Sequence, residues 1–198
     1  MKNKIQAVYQ QSVFCSSTST KLYIADFTDR TGSKRKVEFH ETIPQTPDST
    51  KNMDCLFIEN SSQLPIVCNI FDDNQFKDDD GNDMTHCECV LFPESKQKDI
   101  GFAFVEIKDC KPKNISSYKE QVKNQIISTV AIFRENGIIK EQSIYGIISF
   151  PRKNKTSFNQ TIFDDVTEYK KLYRMYKVHF CPTNSVSVFD EKKLTVNF

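Results

Sequence analysis

The chain is poor in glycine and histidine, with five glycines and three histidines among 198 residues. It contains no glycine-rich loop of the kind that cradles phosphates and no Gly-x-Ser-x-Gly motif. P-loop chemistry on nucleoside triphosphates and serine-hydrolase chemistry therefore have no support in the sequence.

Long apolar runs are absent as well. No run approaches the roughly 20 residues that a helix needs to cross a bilayer, and residues 1–11 lack the apolar stretch of a signal peptide. The seven cysteines are odd in number and irregularly spaced, a pattern more typical of reduced thiols than of a disulfide framework. We therefore expect a cytoplasmic protein with no membrane partner.

A strong net charge is also missing. The formal charge of +1 gives no global argument for a nucleic-acid partner, which a strongly basic domain would provide. Charge is local instead, with basic clusters at 34–36, 111–113 and 152–155 and six aspartates within 72–83. The aspartate-rich segment predicts an exposed loop, and it lacks the acidic residues that a calcium loop needs at its first and twelfth positions.

Length and composition predict one folded domain. Apolar residues make up 38% of the chain, and 16 phenylalanines argue against general disorder. Two strand-like runs, 21–27 and 36–40, flank a turn-rich segment. They predict a β-hairpin in an N-terminal extension, residues 1–50, ahead of a main α/β domain over residues 51–198.

The main domain alternates strand and helix patterns. Residues 54–71 fit either two short strands or a strand and a short helix. Apolar runs predict strands at 86–92, 100–108, 144–150, 177–181 and 186–189, and helical spacing predicts helices at 116–136 and 163–176. This order predicts a mixed α/β fold.

The residues that carry chemistry end one of these strands. Residues two apart share a strand face, so Phe104, Glu106 and Lys108 point the same way. Burying such charges costs several kcal/mol, of the order of ~2–7 per polar group, unless they pair or bind an ion. Carboxylates suit Mg²⁺, and a lysine beside them could position an attacking water. The pattern therefore indicates hydrolysis of a phosphodiester.

This arrangement resembles the PD-(D/E)xK, or restriction-endonuclease-like, nuclease superfamily. The resemblance rests on the segment 105–108, which follows the acid-bearing strand 88–92 and precedes a glutamine-bearing helix, and it covers roughly residues 86–150. It implies a restriction-endonuclease-like mixed sheet flanked by helices. It also implies a metal-dependent nuclease that hydrolyses phosphodiester bonds, with DNA the favoured substrate and Mg²⁺ or Mn²⁺ the cofactor.

The resemblance assigns roles residue by residue. Glu106 matches the metal-binding acid, Lys108 the motif lysine, and Glu88 the position of the first acid. Gln121 or Gln125 matches the glutamine found on the helix in some subgroups, and Gln125 is the one assigned to the catalytic set.

Two departures from the family pattern leave alternatives open. No Pro-Asp pair precedes the motif, and the first acid is a glutamate rather than the usual aspartate. Asp54 and, more weakly, Asp99 are other candidates for that position. The departures also favour an alternative function, a catalytically inactive nuclease-fold subunit for binding or assembly. The alternative to an active site is that Glu106 and Lys108 form an ordinary ion pair at the end of the strand.

Basic residues follow the site strand and the next strand. Five of them are candidate phosphate contacts: Lys111, Lys113, Arg152, Lys153 and Lys155. Cutting both strands of DNA calls for two active sites, so a homodimer is an expected assembly, as is membership of a larger complex.

A zinc site is the competing interpretation of the segment 86–89. His86, Cys87 and Cys89 lack the C-x₂-C spacing of zinc modules, and no second pair follows. Buried thiols are the expected state of these cysteines.

Overall fold

The structure is a computed structural model that describes residues 1–28, 37–46, 51–95, 100–140, 142, 144–153 and 158–196. It contains two mixed β-sheets, and helices cover the outer face of the larger sheet. One apolar cluster lies between the helices and the six-stranded sheet, and a second lies between the two sheets. The mixed α/β class expected from the sequence is confirmed.

The elements have the following bounds. The helices are α1 (Lys2–Val8), α2 (Ile115–Glu135), α3 (Asn159–Ile162) and α4 (Val166–Tyr176). The first strands are β1 (Val13–Ser17), β2 (Lys21–Asp26), β3 (Val37–His40), β4 (Leu56–Glu59) and β5 (Ile66–Ile70). The later strands are β6 (Cys89–Pro93), β7 (Phe102–Ile107), β8 (Ile144–Ser149), β9 (Val178–Pro182), β10 (Ser185–Val188) and β11 (Leu194–Val196).

The larger sheet has the order β1-β5-β6-β7-β8-β9. Strands β1, β5, β6 and β7 pair antiparallel, whereas β7, β8 and β9 pair parallel. Parallel neighbours need crossover connections, and α2 supplies the one from β7 to β8 while α3 and α4 supply the one from β8 to β9. The smaller sheet has the order β11-β10-β4-β2-β3, in which only β10 and β4 pair parallel within the described part.

The expected N-terminal hairpin is present. Strands β2 and β3 pair antiparallel, while the connecting residues 29–36, which include the basic cluster 34–36, lie outside the described residues. The expected division at residue 50 does not coincide with a break in either sheet, because β1 pairs with β5 and β2 pairs with β4. Residues 54–71 form two strands, β4 and β5, one in each sheet.

Helix α2 lies closely on the larger sheet. Its apolar face is buried through Val122, Ile126 and Phe133, and a Cβ atom added to Gly146 of β8 would lie 3.0 Å from the Ile126 Cγ2 atom. The absence of a side chain at this glycine therefore sets how near α2 approaches β8. In the part of the chain described here, no helix combines the length and the apolar character that crossing a membrane requires.

Candidate active site at the β6–β7 hairpin

The alternation of side chains along β7 directs Glu106 toward the helix layer. Phe102 and Phe104 belong to the cluster beneath the helices, whereas Ala103 and Val105 belong to the cluster between the sheets. Glu106 continues the first series, because residues two apart share a strand face. It is fully buried, at 0% exposure.

Glu88 lies beside the same end of β7. It directly precedes β6, and its backbone N–H donates to the Val105 carbonyl at 3.0 Å. Strand β6 pairs with β7 in the register Val90 to Phe104 and Cys89 to Val105. The short connection between these two strands therefore makes them direct neighbours, as the sequence predicted.

The ammonium of Lys108 joins the two acids. Its Nζ atom lies 2.7 Å from Glu106 Oε1 and 3.6 Å from Glu88 Oε1. The Lys108 side chain is 20% exposed, whereas those of Glu88 and Glu106 are almost completely buried. The structure therefore brings together the three charged residues that the sequence singled out, with the lysine on the solvent side.

The two carboxylates of this cluster are oxygen donors of the kind that hard divalent cations prefer. One carboxylate oxygen of Glu88 and one of Glu106 approach the Lys108 ammonium, so the two oxygens converge on one position. The two carboxylates carry more negative charge than the single lysine neutralises. Among the described residues no group of three His, Cys, Asp or Glu side chains could hold a metal. Two carboxylates are nevertheless a common protein contribution to a Mg²⁺ site, where water and substrate oxygens complete the coordination.

The helix glutamines lie next to this cluster rather than in it. Gln125 is buried, and its Nε2 donates to the His86 carbonyl at 3.1 Å, two residues before Glu88. Its Oε1 is also buried and has no hydrogen-bond partner among the described residues. Gln121 and Gln125 both line a cavity of about 310 Å³, whose other lining residues are Asp73, Asp83, Met84, Thr85 and His86. Of the two glutamines, only Gln125 is shown to be buried and bonded to the segment that carries Glu88, whereas Gln121 is exposed.

The alternative first acids occupy other places. Asp54 is exposed and precedes β4, a strand of the smaller sheet, whereas Glu106 belongs to the larger sheet. Asp99 lies outside the described residues. Of the three candidates for the first acid, only Glu88 is shown to lie beside the Lys108 ammonium.

The five candidate phosphate contacts differ in their surroundings. Lys111 and Lys113 are exposed just before α2. Lys153 donates to Thr161 Oγ1 at 2.6 Å, and Arg152 forms an ion pair with Asp109. Lys155 lies outside the described residues. Arg152 and Lys153 therefore have partners within the chain, whereas the two lysines before α2 are presented to solvent.

The sequence did not indicate the partner of Arg152. Its guanidinium contacts both carboxylate oxygens of Asp109, with Nη2 2.6 Å from Oδ2. The Asp109 N–H donates to Asp26 Oδ2 at 3.3 Å. The only signal in the sequence is the position of Asp109 directly after Lys108, at the end of an apolar strand.

The cysteines near the site are buried thiols. Cys87 and Cys89 are completely buried, and none of the seven cysteines forms a disulfide. A side-chain hydrogen bond between Cys89 and the neighbouring Cys68, together with burial, raises the pKa of Cys89 well above its usual range. Cys89 therefore remains protonated near neutral pH, which makes it a poor metal ligand.

Comparison with known proteins does not identify a family or a function for this chain. No protein-family description, curated protein or solved structure matches the chain. The residues of the site are therefore the basis for assigning a function.

Proposed function

We propose that this protein is a metal-dependent nuclease with a restriction-endonuclease-like fold, and that it hydrolyses phosphodiester bonds in DNA. The observation that carries the proposal is the meeting of two buried glutamates and one lysine. Lys108 Nζ lies within 3.6 Å of a carboxylate oxygen from Glu88 and from Glu106. These are the residues that the resemblance to the PD-(D/E)xK superfamily selects.

The arrangement of elements around the site supports the fold assignment. The acid-bearing hairpin β6–β7 leads into α2, and the chain then returns as β8, parallel to β7. This is the succession that the resemblance implies: an acid-bearing strand, the Glu-x-Lys strand, a helix packed on the sheet, and a further strand.

Glu88 and Glu106 are the residues that would hold Mg²⁺ or Mn²⁺. A divalent ion at this position would supply charge stabilisation to the phosphate and lower the pKa of water, the usual contributions of such ions to hydrolysis. The two carboxylates contribute hard oxygen ligands in a buried setting, where their attraction for a cation is only weakly screened.

Lys108 has the position to act on the reacting groups. Its ammonium lies on the solvent side of the two carboxylates, where a phosphodiester would arrive. There it can orient a water molecule by donating a hydrogen bond and can stabilise negative charge that develops on the phosphate. The Lys108 N–H donates to the Ser149 carbonyl at 3.0 Å, which fixes the lysine backbone against the end of β8.

Nucleic acid is most favourably placed to contact the protein near the start of α2. Lys111 and Lys113 are exposed and follow Lys108 by three and five residues. Cations so close to the site can contact phosphates of a bound strand and set its register without reading its bases.

One observation favours the second candidate, a non-catalytic subunit of the same fold that binds or assembles. Glu106 Oε1 and Lys108 Nζ lie 2.7 Å apart with Glu106 fully buried, a distance typical of a close structural ion pair. In this alternative the lysine permanently occupies the position between the carboxylates. The two functions differ in whether a divalent ion can share that position.

Cleavage of a supercoiled plasmid tests the proposal. With Mg²⁺ or Mn²⁺ the protein should nick or linearise the plasmid, and EDTA should stop the reaction. Glu106→Gln should abolish cleavage, because it keeps the side-chain shape and removes a charged ligand. Activity that survives both EDTA and this substitution would exclude the proposed site.

Asp54→Asn provides a matched control. It also removes one carboxylate, but at an exposed residue next to the smaller sheet. We expect it to retain cleavage close to that of the unmodified protein. Circular dichroism spectra and thermal unfolding of both variants should show that each remains folded.

A further inference from the structure

A second cavity lies at the opposite end of the larger sheet. It has a volume of about 250 Å³ and includes Ile144, the first residue of β8, and His179 of β9. The candidate active site lies near Ser149, at the other end of β8. Six extended residues separate the two ends by roughly 16 Å, at about 3.3 Å per residue. The cavity is therefore a separate site.

The lining of this cavity is basic. Arg134 comes from the last turn of α2, Lys140 from the segment that follows α2, and Lys177 from the residue after α4. The remaining lining residues are Gln142, Ile144, Tyr173 and His179. No carboxylate belongs to this lining within the described part of the chain, so three cations from separate elements face one space.

Two of the cations are held in place by the fold. Arg134 Nη1 donates to the Tyr176 carbonyl at 2.7 Å, which uses one of the five N–H donors of the guanidinium. Lys177 adopts a left-handed conformation with φ +53°, its N–H donates to the Tyr173 carbonyl, and its ammonium lies 5.7 Å from the Tyr173 ring centroid. Little further ordering of these two groups is needed to bind a ligand.

The negative C-terminal ends of the helices account for only part of the positive charge of these three residues. Helices α2 and α4 both end at the cavity, and cations are favourable near helix C-termini. Each C-terminus is equivalent to about half a negative charge, roughly one in total. The three cations exceed this, so the lining residues that the structure describes keep a positive surplus that an anion can neutralise.

We propose that this cavity binds a small phosphate-bearing molecule. A guanidinium and two ammonium groups match the oxygens of a phosphate group, which arginine can contact through two N–H donors at once. The volume is slightly below the roughly 300 Å³ at which pockets for drug-sized ligands begin, which fits a compact anion. The Tyr173 and His179 rings, with centroids 4.5 Å apart, add an aromatic surface for a ring attached to the phosphate. This proposal is independent of the nuclease function.

Titration calorimetry with inorganic phosphate, and separately with adenosine 5′-monophosphate, tests the proposal at about 0.15 M salt, where exposed charges are largely screened beyond roughly 8 Å. We expect saturable binding of one ligand per chain. Lys140→Ala and Lys177→Gly should each weaken it about tenfold, as expected for loss of one charge-assisted hydrogen bond. Glycine is used at residue 177 because it adopts a positive φ without strain.

Lys170→Ala is the matched control, since Lys170 is an exposed lysine on α4 that does not line the cavity. Equal affinity for inorganic phosphate and adenosine 5′-monophosphate would show that the phosphate group alone is recognised. Tighter binding of the nucleotide would show that its base also contacts the cavity. Both outcomes support the site. Absence of saturable binding, or equal effects of the control and cavity variants, would overturn it. So would selective binding of a single-stranded oligonucleotide that the same variants weaken.

Discussion

Arg152 and Asp109 form a two-point ion pair beside the candidate active site. The Asp109 side chain is 1% exposed, and the Arg152 Nη2 atom lies 2.6 Å from its Oδ2 atom. Asp109 directly follows Lys108, and Arg152 follows β8 by three residues. The pair therefore fastens the ends of two neighbouring parallel strands next to the lysine.

Removal of the guanidinium should destabilise the protein. Arg152→Ala leaves the Asp109 carboxylate buried without its main cation, a change that costs about 3–5 kcal/mol in comparable buried pairs. We expect about 3 kcal/mol, the lower end, because the Arg152 side chain is 23% exposed. The free energy of unfolding in urea measures the effect. Lys111→Ala, at an exposed site, should change it by less than about 0.5 kcal/mol.

A double substitution checks the cause of this loss. Arg152→Ala combined with Asp109→Asn removes both charges, so part of the lost stability should return relative to Arg152→Ala alone. A double variant whose destabilisation equals the sum of the two single effects would show that the residues do not interact. The result also bears on DNA binding. An Arg152 variant that binds DNA more weakly could do so because it is less stable, so its folded fraction must be measured before the loss of affinity is assigned to a lost phosphate contact.

Lys108→Ala should separate chemistry from binding. If the ammonium orients water or stabilises charge in the reaction, the single-turnover cleavage rate should fall by about 10²-fold or more, the range for comparable catalytic groups. DNA affinity, measured by fluorescence anisotropy without divalent ions, should change less than about threefold. Loss of affinity with an unchanged single-turnover rate would instead assign Lys108 to phosphate positioning.

Stability should depend on pH through His179. Burial lowers the pKa of this imidazole below its ordinary value of 6.5, and Arg134, Lys140 and Lys177 line the same cavity. Between the lowered pKa of the folded state and the unfolded value of 6.5, the unfolded imidazole therefore binds a proton that the folded imidazole does not. The contribution of His179 to stability is present above this pH and decreases as the pH falls.

Urea unfolding at pH 7.5 and pH 5.5, in buffer without phosphate, measures this effect. His179→Gln cannot take up the proton, so its stability should fall less between the two pH values than that of the unmodified protein. Equal decreases for the two proteins would remove His179 from the explanation.

The sequence predicted the mixed α/β class and the main helix and strands of the site because their patterns are local. The helix expected at 116–136 is α2 (Ile115–Glu135), and the strands expected at 86–92 and 100–108 form the hairpin β6–β7. Helix α1 was not predicted, because its seven residues include only one that is buried. The pairing of β1 with β5 joins residues that are 49 to 57 positions apart along the chain, which local periodicity cannot reveal.

The candidate site could be predicted in part for the same reason. Glu106 and Lys108 share a strand face by simple alternation, and the short link between strands brings Glu88 beside them. By contrast, the contact of Arg152 with Asp109 spans 43 residues and depends on the parallel pairing of β7 and β8. The basic cavity likewise combines the ends of two helices and two strands that are separated along the chain.

Binding of Mn²⁺, measured by calorimetry on the folded protein, tests most directly whether Glu88 and Glu106 form one metal site. We expect a single site whose Mn²⁺ affinity falls at least tenfold in Glu88→Gln and in Glu106→Gln, because each substitution removes a charged ligand. Asp54→Asn should leave the affinity unchanged. Failure of the folded, unmodified protein to bind Mn²⁺, or binding that survives both glutamine substitutions, would contradict the account.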